Sequence, residues 1–427
     1  MEQVSFSWLV YIIMLIMIAA SKLHKSVIAI TAGVIFFISR YVTVADVSKY
    51  SLINLDFIVM IAGMSIIASF MKHSGIFQFL VLKAVRKSGW NCDLLSRNIC
   101  VVILLLSAFF CDRIAVVLMF PIVAFIFDSL NLELNNTIMG ALNSASIGGV
   151  LLSISGAEVI LISTAAKISF TEYLTFITPA LFVVFIIYIF YMQIFMGGEN
   201  RIDAENTNFS IIKFNEEMAI LGPNLFSKLL LILISTITIL CFSSIMGLSD
   251  SVIIITGAAL LFLTIELSPD KVLKEIKLNI FFYILGLQIV AAAFYKYHIY
   301  DTIALQLTEV FGHNGFYVCI FILVSGAVLS LAFGRLSMTF LFLPVISILT
   351  GMGFQAMPLY SSFIFSMAFA RSPTMLREIP KVLKNTHIEE KNVWEHYSKL
   401  FKKTAVVYFM CFAWFVLYVY LRFFYNS

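Results

Sequence analysis

Two fifteen-residue stretches, SAFFCDRIAVVLMFP (107–121) and SLAFGRLSMTFLFLP (330–344), carry most of the information about the fold. Their serines, Ser107 and Ser330, and their prolines, Pro121 and Pro344, stand in register at a constant offset of 223 residues. The same offset carries Gly63 onto Gly286, Phe110 onto Phe333 and Glu172 onto Glu395. Glycine, serine, proline and glutamate held in step without a gap predict an internal duplication, roughly 57–195 with 280–420.

The chain has 427 residues, 61% of them hydrophobic and 12% charged, and a mean hydropathy of +1.00. Soluble domains carry about 25% charged residues, so half that amount excludes a water-soluble globule. At about 20 residues per crossing, the apolar stretches allow roughly ten to twelve membrane spans. A net charge of +4 spread over short loops makes no basic face, which excludes a nucleic-acid partner. The six cysteines (Cys92, Cys100, Cys111, Cys241, Cys319, Cys411) are scattered and form no CxxC; no disulfide framework or zinc site is expected. HExxH, Walker A, GxSxG and GxGxxG patterns are absent. An intramembrane metalloprotease, an ATP-driven pump and a Rossmann enzyme therefore lose their simplest support. No enzyme activity, cofactor or metal is expected. Residues 6–20 follow no basic n-region and read as a first span rather than a cleaved signal.

Polar punctuation divides the chain into N-terminal spans (1–56), a first repeat (57–196), a cytoplasmic linker (197–227), connecting spans (228–279) and a second repeat (280–427) with a charged arm at 371–404. Segment 72–98 carries five basic residues against Asp93, whereas its counterpart 295–315 carries Lys296 against Asp301 and Glu309. Under the positive-inside rule these segments lie on opposite sides, which predicts inverted repeats. If 107–121 and 330–344 are re-entrant tips, the cytoplasmic segments are 22–25, 72–98, 128–137, 197–227, 268–277 and 371–404. These hold 20 of the 28 Lys and Arg residues, against four (Arg40, Lys49, Lys167, Lys296) outside. The expectation is an all-α polytopic membrane protein of two inverted repeats. Each repeat has a re-entrant hairpin and a broken helix, giving about ten full spans plus two hairpins, with both termini on the non-cytoplasmic side.

The core segments resemble the ion transporter superfamily, specifically its arsenical-pump and sodium–proton antiporter (ArsB/NhaD) branch. DFIVMIAGMSIIASFMKHSGIFQFL (56–80) is similar to that family's first-repeat helix and glycine turn. SAFFCDRIAVVLMFP is similar to its first hairpin, and NSASIGGVLLSISGAEVILIS (143–163) to its Gly-Gly break. The resemblance implies secondary active transport in a prokaryotic inner or internal membrane by an elevator-like homodimer embedded in the lipid bilayer. Substrate and coupling ion would be held at broken helices near mid-membrane. Several motif positions differ. The usual Asp-Asn pair falls on Cys111-Asp112 and on Gly334-Arg335, the asparagine before Gly148-Gly149 is Ser146, and Ala157-Glu158-Val159 replaces a Pro-x-Asn. A sodium site needs several hard oxygen ligands, and these changes remove many of them.

Charged residues in apolar segments cost about 2.5–3.5 kcal/mol on insertion scales and are paired, solvated or functional. Asp112 and Arg335 occupy equivalent positions in the two repeats and are expected to face each other, Asp112 exchanging a proton under the influence of Arg335. The bland alternative is a permanent ion pair, or an Arg335 that reaches solvent. Arg113 is expected to reach headgroups or an aqueous vestibule, with substrate contact as the sharper reading. Glu158 is a candidate proton or cation ligand, or a solvated helix end. Ser146, Gly148, Gly149, Ser153, Ser155 and Gly156 can leave backbone groups free for ions, or can serve close helix packing. The same two readings apply to Ser107, Ser330, Ser337 and Thr339.

The leading reading is a proton-coupled carrier that exchanges protons for a cation such as sodium, or moves a small anion (arsenite, an oxyanion or a carboxylate). Two other readings stay open. One is a transport-inactive scaffold docking through 371–404. The other is an ion- or pH-regulating protein of a specialised compartment such as the magnetosome.

Overall fold

The computed structural model describes residues 2–21, 23–88, 91–110, 112–129, 135–195, 223–265, 267–276, 278–369 and 406–425. Regular structure among them is helical throughout. The first half runs α1 (Glu2–Ala20), α2 (Lys25–Ile38), the short α3 (Val44–Lys49), α4 (Leu55–His73) and α5 (Ile76–Ser88). It continues through α6 (Cys92–Phe110), α7 (Asp112–Ser129), α8 (Asn135–Gly148), α9 (Ala157–Ala166), α10 (Phe170–Phe176) and α11 (Thr178–Phe195). The second half opens with α12 (Pro223–Cys241), α13 (Ser243–Met246), α14 (Asp250–Thr264), the short α15 (Pro269–Lys274) and α16 (Leu278–Lys296). It closes with α17 (Ile299–Phe311), α18 (Gly315–Phe333), α19 (Arg335–Gly351), α20 (Ala356–Phe369) and α21 (Val406–Phe424).

Six described helices, namely α1, α4, α6 from Asp93, α16, α18 and α21, are long and apolar enough to cross a membrane. The pair α9–α10, bent by 106°, adds a broken span. Other apolar helices are shorter. The 14 residues of α2 and the 15 of α14 reach about 21–23 Å at ~1.5 Å per residue, less than the ~30 Å hydrocarbon core. The expected full spans are therefore a mixture of full-length and short helices. The linker beyond Phe195, the arm 371–404 and the second repeat's counterpart of the Gly-Gly break lie outside the described residues.

Local chemistry sets the helix starts. Thr43 and Asp46 form a reciprocal capping box at α3, with Thr43 N–H donating to Asp46 Oδ2 at 2.8 Å. Ser169 and Glu172 do the same at α10. Each box satisfies two otherwise orphaned N–H groups. Asn54 accepts from Phe57 N–H at 2.9 Å and fixes the start of α4.

Lipid supplies no hydrophobic force between helices, so close backbone approach through small residues holds them. Gly286 of α16 lies against the backbone of Ala29 in α2, where any side chain would collide with it. Its counterpart at the offset of 223, Gly63 of α4, lies against α14, where a Cβ would come 2.8 Å from Ile254 Cγ2. Both glycines thus allow close packing, each on a different partner, and the halves cross-pack: α2 on α16, α4 on α14. Ion pairs repeat the crossing. Lys296 at the end of α16 meets Asp46 of α3 at 2.8 Å, and Lys72 at the end of α4 meets Glu275 after α15 at 2.6 Å.

Two pairs of consecutive helices, each interrupted by one residue, pack on each other. The α6–α7 pair breaks between Phe110 and Asp112, and the α18–α19 pair at Gly334. Gly334 has φ +93°, in the left-handed region that favours glycine. Gly148 lets α8 lie on α6, against the Leu104 carbonyl. The last helix, α21, is tied to the body by three polar side chains. Tyr408 donates to Asn143 Oδ1 at 2.6 Å, Trp414 to the Ala180 carbonyl at 3.1 Å and Tyr418 to the Phe176 carbonyl at 2.7 Å.

Candidate functional site

The two hairpin breaks meet each other and the unwound stretch 149–156 between α8 and α9. Asp112 is the first residue of α7, Glu158 the second of α9 and Arg335 the first of α19. Three helix N-termini therefore supply the charged groups. A helix N-terminus carries roughly half a positive charge, which favours a carboxylate and disfavours a cation. Asp112 and Glu158 suit their positions; Arg335 does not, and needs compensation.

Both carboxylates compensate it. Arg335 Nη2 donates to Asp112 Oδ2, and Arg335 Nε lies 2.8 Å from Glu158 Oε1. The second contact is an ion pair by proximity, its atoms not aligned as donor and acceptor. Arg335 Nη1 donates to the Met367 carbonyl of α20 at 3.4 Å. The side chains of Asp112, Arg335 and Glu158 are 0%, 1% and 5% exposed, so the cluster is buried. One guanidinium facing two carboxylates leaves a formal charge of −1. Desolvation of buried ions costs several kcal/mol each and is offset only by close pairing.

The glycines of the break allow this approach. A Cβ on Gly149 would lie 2.9 Å from Cβ, Cγ and Oδ2 of Asp112, so only glycine lets the unwound backbone cover that carboxyl. One on Gly156 would come 3.6 Å from Glu158 Oε2. The carbonyls of the break are partly occupied. Tyr173 donates to Val150 O at 2.5 Å and Thr178 to Leu151 O at 2.8 Å.

The hydroxyls expected from sequence divide into two groups. Ser107, Ser146, Ser153 and Ser330 are fully buried, with no hydrogen-bond partner among the described residues. Ser155 donates to Leu152 O at 2.5 Å and Thr339 to Arg335 O at 3.0 Å, so both serve their own turns. Ser337 donates to Phe333 O at 3.2 Å and shares a 2.5 Å hydrogen bond with Tyr283. The side chain of Arg113 lies outside the described residues.

Sequence reasoning missed Tyr173, Thr178, Tyr283 and Lys25. The first three look like ordinary membrane tyrosine and threonine, and their roles depend on tertiary contacts. Lys25 was counted among cytoplasmic loop charges. Its Nζ lies 3.7 Å from the position that a Cβ on Gly334 would take.

Helical structure throughout the described residues, apolar spans and buried charges where broken helices meet give the build of a multi-pass membrane transporter. The chain belongs to the CitMHS (citrate transporter) family, whose sequence pattern matches residues 12–370. Among its relatives, the uncharacterized transporter Mb2703 of Mycobacterium bovis is 20% identical over 307 residues, 71% of each chain. The uncharacterized transporter Rv2685 of Mycobacterium tuberculosis is 23% identical over 302 residues, 70% of each. The 46 kDa membrane protein of Mycobacterium leprae is 22% identical over 305 residues, 71% of each. The crystal structure of the Alcanivorax borkumensis YdaH transporter shares the fold with a TM-score of 0.60 at 12% identity, over 92% of this chain and 89% of that one. The protein is thus a multi-pass membrane protein and a secondary transporter of the CitMHS type.

Proposed function

We propose that the protein is a proton-coupled carrier of small carboxylate-type anions and that the Asp112–Arg335–Glu158 cluster binds the proton. The observation that carries this reading is the sharing of one guanidinium by two buried carboxylates. With both ionised, the buried cluster carries excess negative charge; one bound proton leaves a neutral arrangement. The proton therefore changes the cost of burying the cluster, which is what a coupling site in alternating access requires. The family's description supplies the anion class. We also read the two halves as inverted repeats, on the opposite charge of 72–98 and 295–315, and the working unit as a homodimer.

A second reading has its own support. The buried hydroxyls of Ser107, Ser146 and Ser153, without partners among the described residues, together with the surplus carboxylate, suit a small cation such as sodium exchanged for protons.

Proteoliposomes holding a pH dye distinguish the two. Citrate-dependent proton flux that disappears in Asp112→Asn supports the anion carrier, and sodium-dependent flux with the same loss supports the exchanger. Flux that survives Asp112→Asn removes Asp112 from the coupling site. A folded protein that moves protons with neither solute, nor with arsenite, overturns both readings in favour of a scaffold.

A further inference from the structure

Three side chains on the last turns of α4 converge on one carboxylate, away from the Asp112–Arg335–Glu158 cluster. Glu275, the residue after α15, accepts from Lys72 Nζ at 2.6 Å and from the Ser69 hydroxyl at 3.1 Å. His73 completes the set, its Nε2 standing 3.8 Å from Glu275 Oε1. The side chains of Lys72, His73 and Glu275 are 46%, 27% and 24% exposed, so a proton from solution reaches them. Segments 72–98 and 268–277, which meet here, are among those that charge counting places in the cytoplasm.

The other ring nitrogen decides what His73 does. Its Nδ1 lies 2.9 Å from the Ser69 carbonyl, which only accepts, so Nδ1 carries the hydrogen and donates it. In a neutral ring, Nε2 is then a bare acceptor facing a carboxylate, and the two have nothing to exchange. A proton on Nε2 turns the same approach into a second ion pair. Imidazole is the side chain that ordinarily changes charge between about pH 5 and 8. Among the described residues, Glu275 is the only acid that pairs with His73, and Lys72 the only other cation on that acid. The elements packed against α4 carry further charges: Lys83, Arg86 and Lys87 of α5, Asp93 and Arg97 of α6, and Asp270, Lys271 and Lys274 of α15. None of these pairs with His73. The charges within α9 and α14, Glu158 and Asp250, stand in their first turns.

We propose that His73 is a proton-operated latch: protonated, it locks the end of α4 onto Glu275 behind α15, and neutral, it leaves that junction to Lys72 and Ser69. The latch stands beside a turn built to move. Gly75, at φ +78°, separates α4 from α5, and α5 packs on α6 and α7, the helix that opens with Asp112. Acid on this side therefore holds α4 to α15 and restrains the helices that carry Asp112. Protonation and closure favour each other by the same amount. The effect on transport rests on the carrier reading; the latch itself does not.

The test measures hydrogen exchange of the full-length chain in detergent, as protection factors for the backbone amides of residues 269–276. In wild type the protection should rise about two- to fivefold from about pH 8 to about pH 6, the worth of one partly exposed ion pair. His73→Gln and Glu275→Gln should lose that rise. His73→Arg, charged throughout, should show the higher protection at both pH values. His298→Gln, which removes the exposed imidazole beside Asp301 of α17, should behave as wild type. Wild-type protection that does not change with pH overturns the proposal, and so does a rise that survives in His73→Gln. If His73→Gln fails to fold, a rise that survives in Glu275→Gln or His73→Arg overturns it equally. In proteoliposomes, acid on the α15 side should slow wild-type flux more than His73→Gln flux. Absence of any flux, with the exchange result intact, keeps the latch and overturns the carrier reading instead.

Discussion

Removing Arg335 leaves two buried carboxylates without the cation they share. Arg335→Ala is expected to destabilise the protein by about 3–5 kcal/mol, the cost of breaking a buried ion pair from one side, read as a fall in melting temperature. Adding Glu158→Gln to that variant should recover part of the loss, because one uncompensated charge goes. Arg335→Lys should not restore the wild type, since an ammonium lacks the planar fork that reaches Asp112 and Glu158 together. A flux assay on Gly149→Ala should show loss of transport, its methyl group forced against the Asp112 carboxyl. The contact between Asp112 and Arg335 was readable in the sequence because both residues stand at the same place in related segments. Glu158 was readable only as a charge in a break. Its joining the same guanidinium depends on how the stretch 149–156 folds over, which no residue spacing encodes. Lys25 could not be distinguished from any basic residue ahead of a span.

Glycine substitutions separate helix contact from helix propensity. Gly286→Val drives a branched side chain into the α2 backbone and should lower stability by about 1–3 kcal/mol, the usual range for overpacking. Gly351→Ala meets nothing within 4 Å among the described residues and should be neutral, or gain up to about 1 kcal/mol from helix propensity. Side-by-side thermal melts in one detergent compare the two. The alignment of Gly63 with Gly286 identified them as equivalent, but not what each would touch. A shared offset reports only that two stretches of sequence read alike, whereas their partners, α14 and α2, follow from three-dimensional crossing. Helix lengths were similarly half-legible. Apolar runs marked where hydrophobic segments lie, but the caps at Thr43, Asn54 and Ser169, which set where helices begin, are single residues within otherwise similar stretches.

For the molecule as a whole, the ion pair of Lys296 with Asp46 ties the end of α16 to the short helix α3, outside the membrane-crossing stretch of α16's partner. The Lys296 ammonium, and after it the Thr43 N–H and hydroxyl, hold the Asp46 carboxyl down to about 2, from the usual 3.8. A lowered carboxylate value means the folded state binds its proton less readily than the unfolded chain. The stabilisation is therefore complete above about pH 4 and disappears as the pH falls towards 2. Because the pair is partly exposed, salt screens it. Melting temperatures of wild type and Asp46→Asn should differ at pH 6 and low salt and converge near pH 2, with the gap narrowing in high salt.

The crossed packing of the halves also sets a timetable for synthesis. When α2 and α4 leave the ribosome, α16 and α14 do not yet exist; about 200 residues must still be translated, roughly 10–40 s at ordinary elongation rates. During that interval the backbone beside Ala29 and Gly63 faces lipid or the insertion machinery, and Asp112 enters the bilayer without Arg335. The packing of α2, α4 and Asp112 is therefore completed only late in synthesis, whereas contacts internal to the first half, such as α6 on α8, need no later residue.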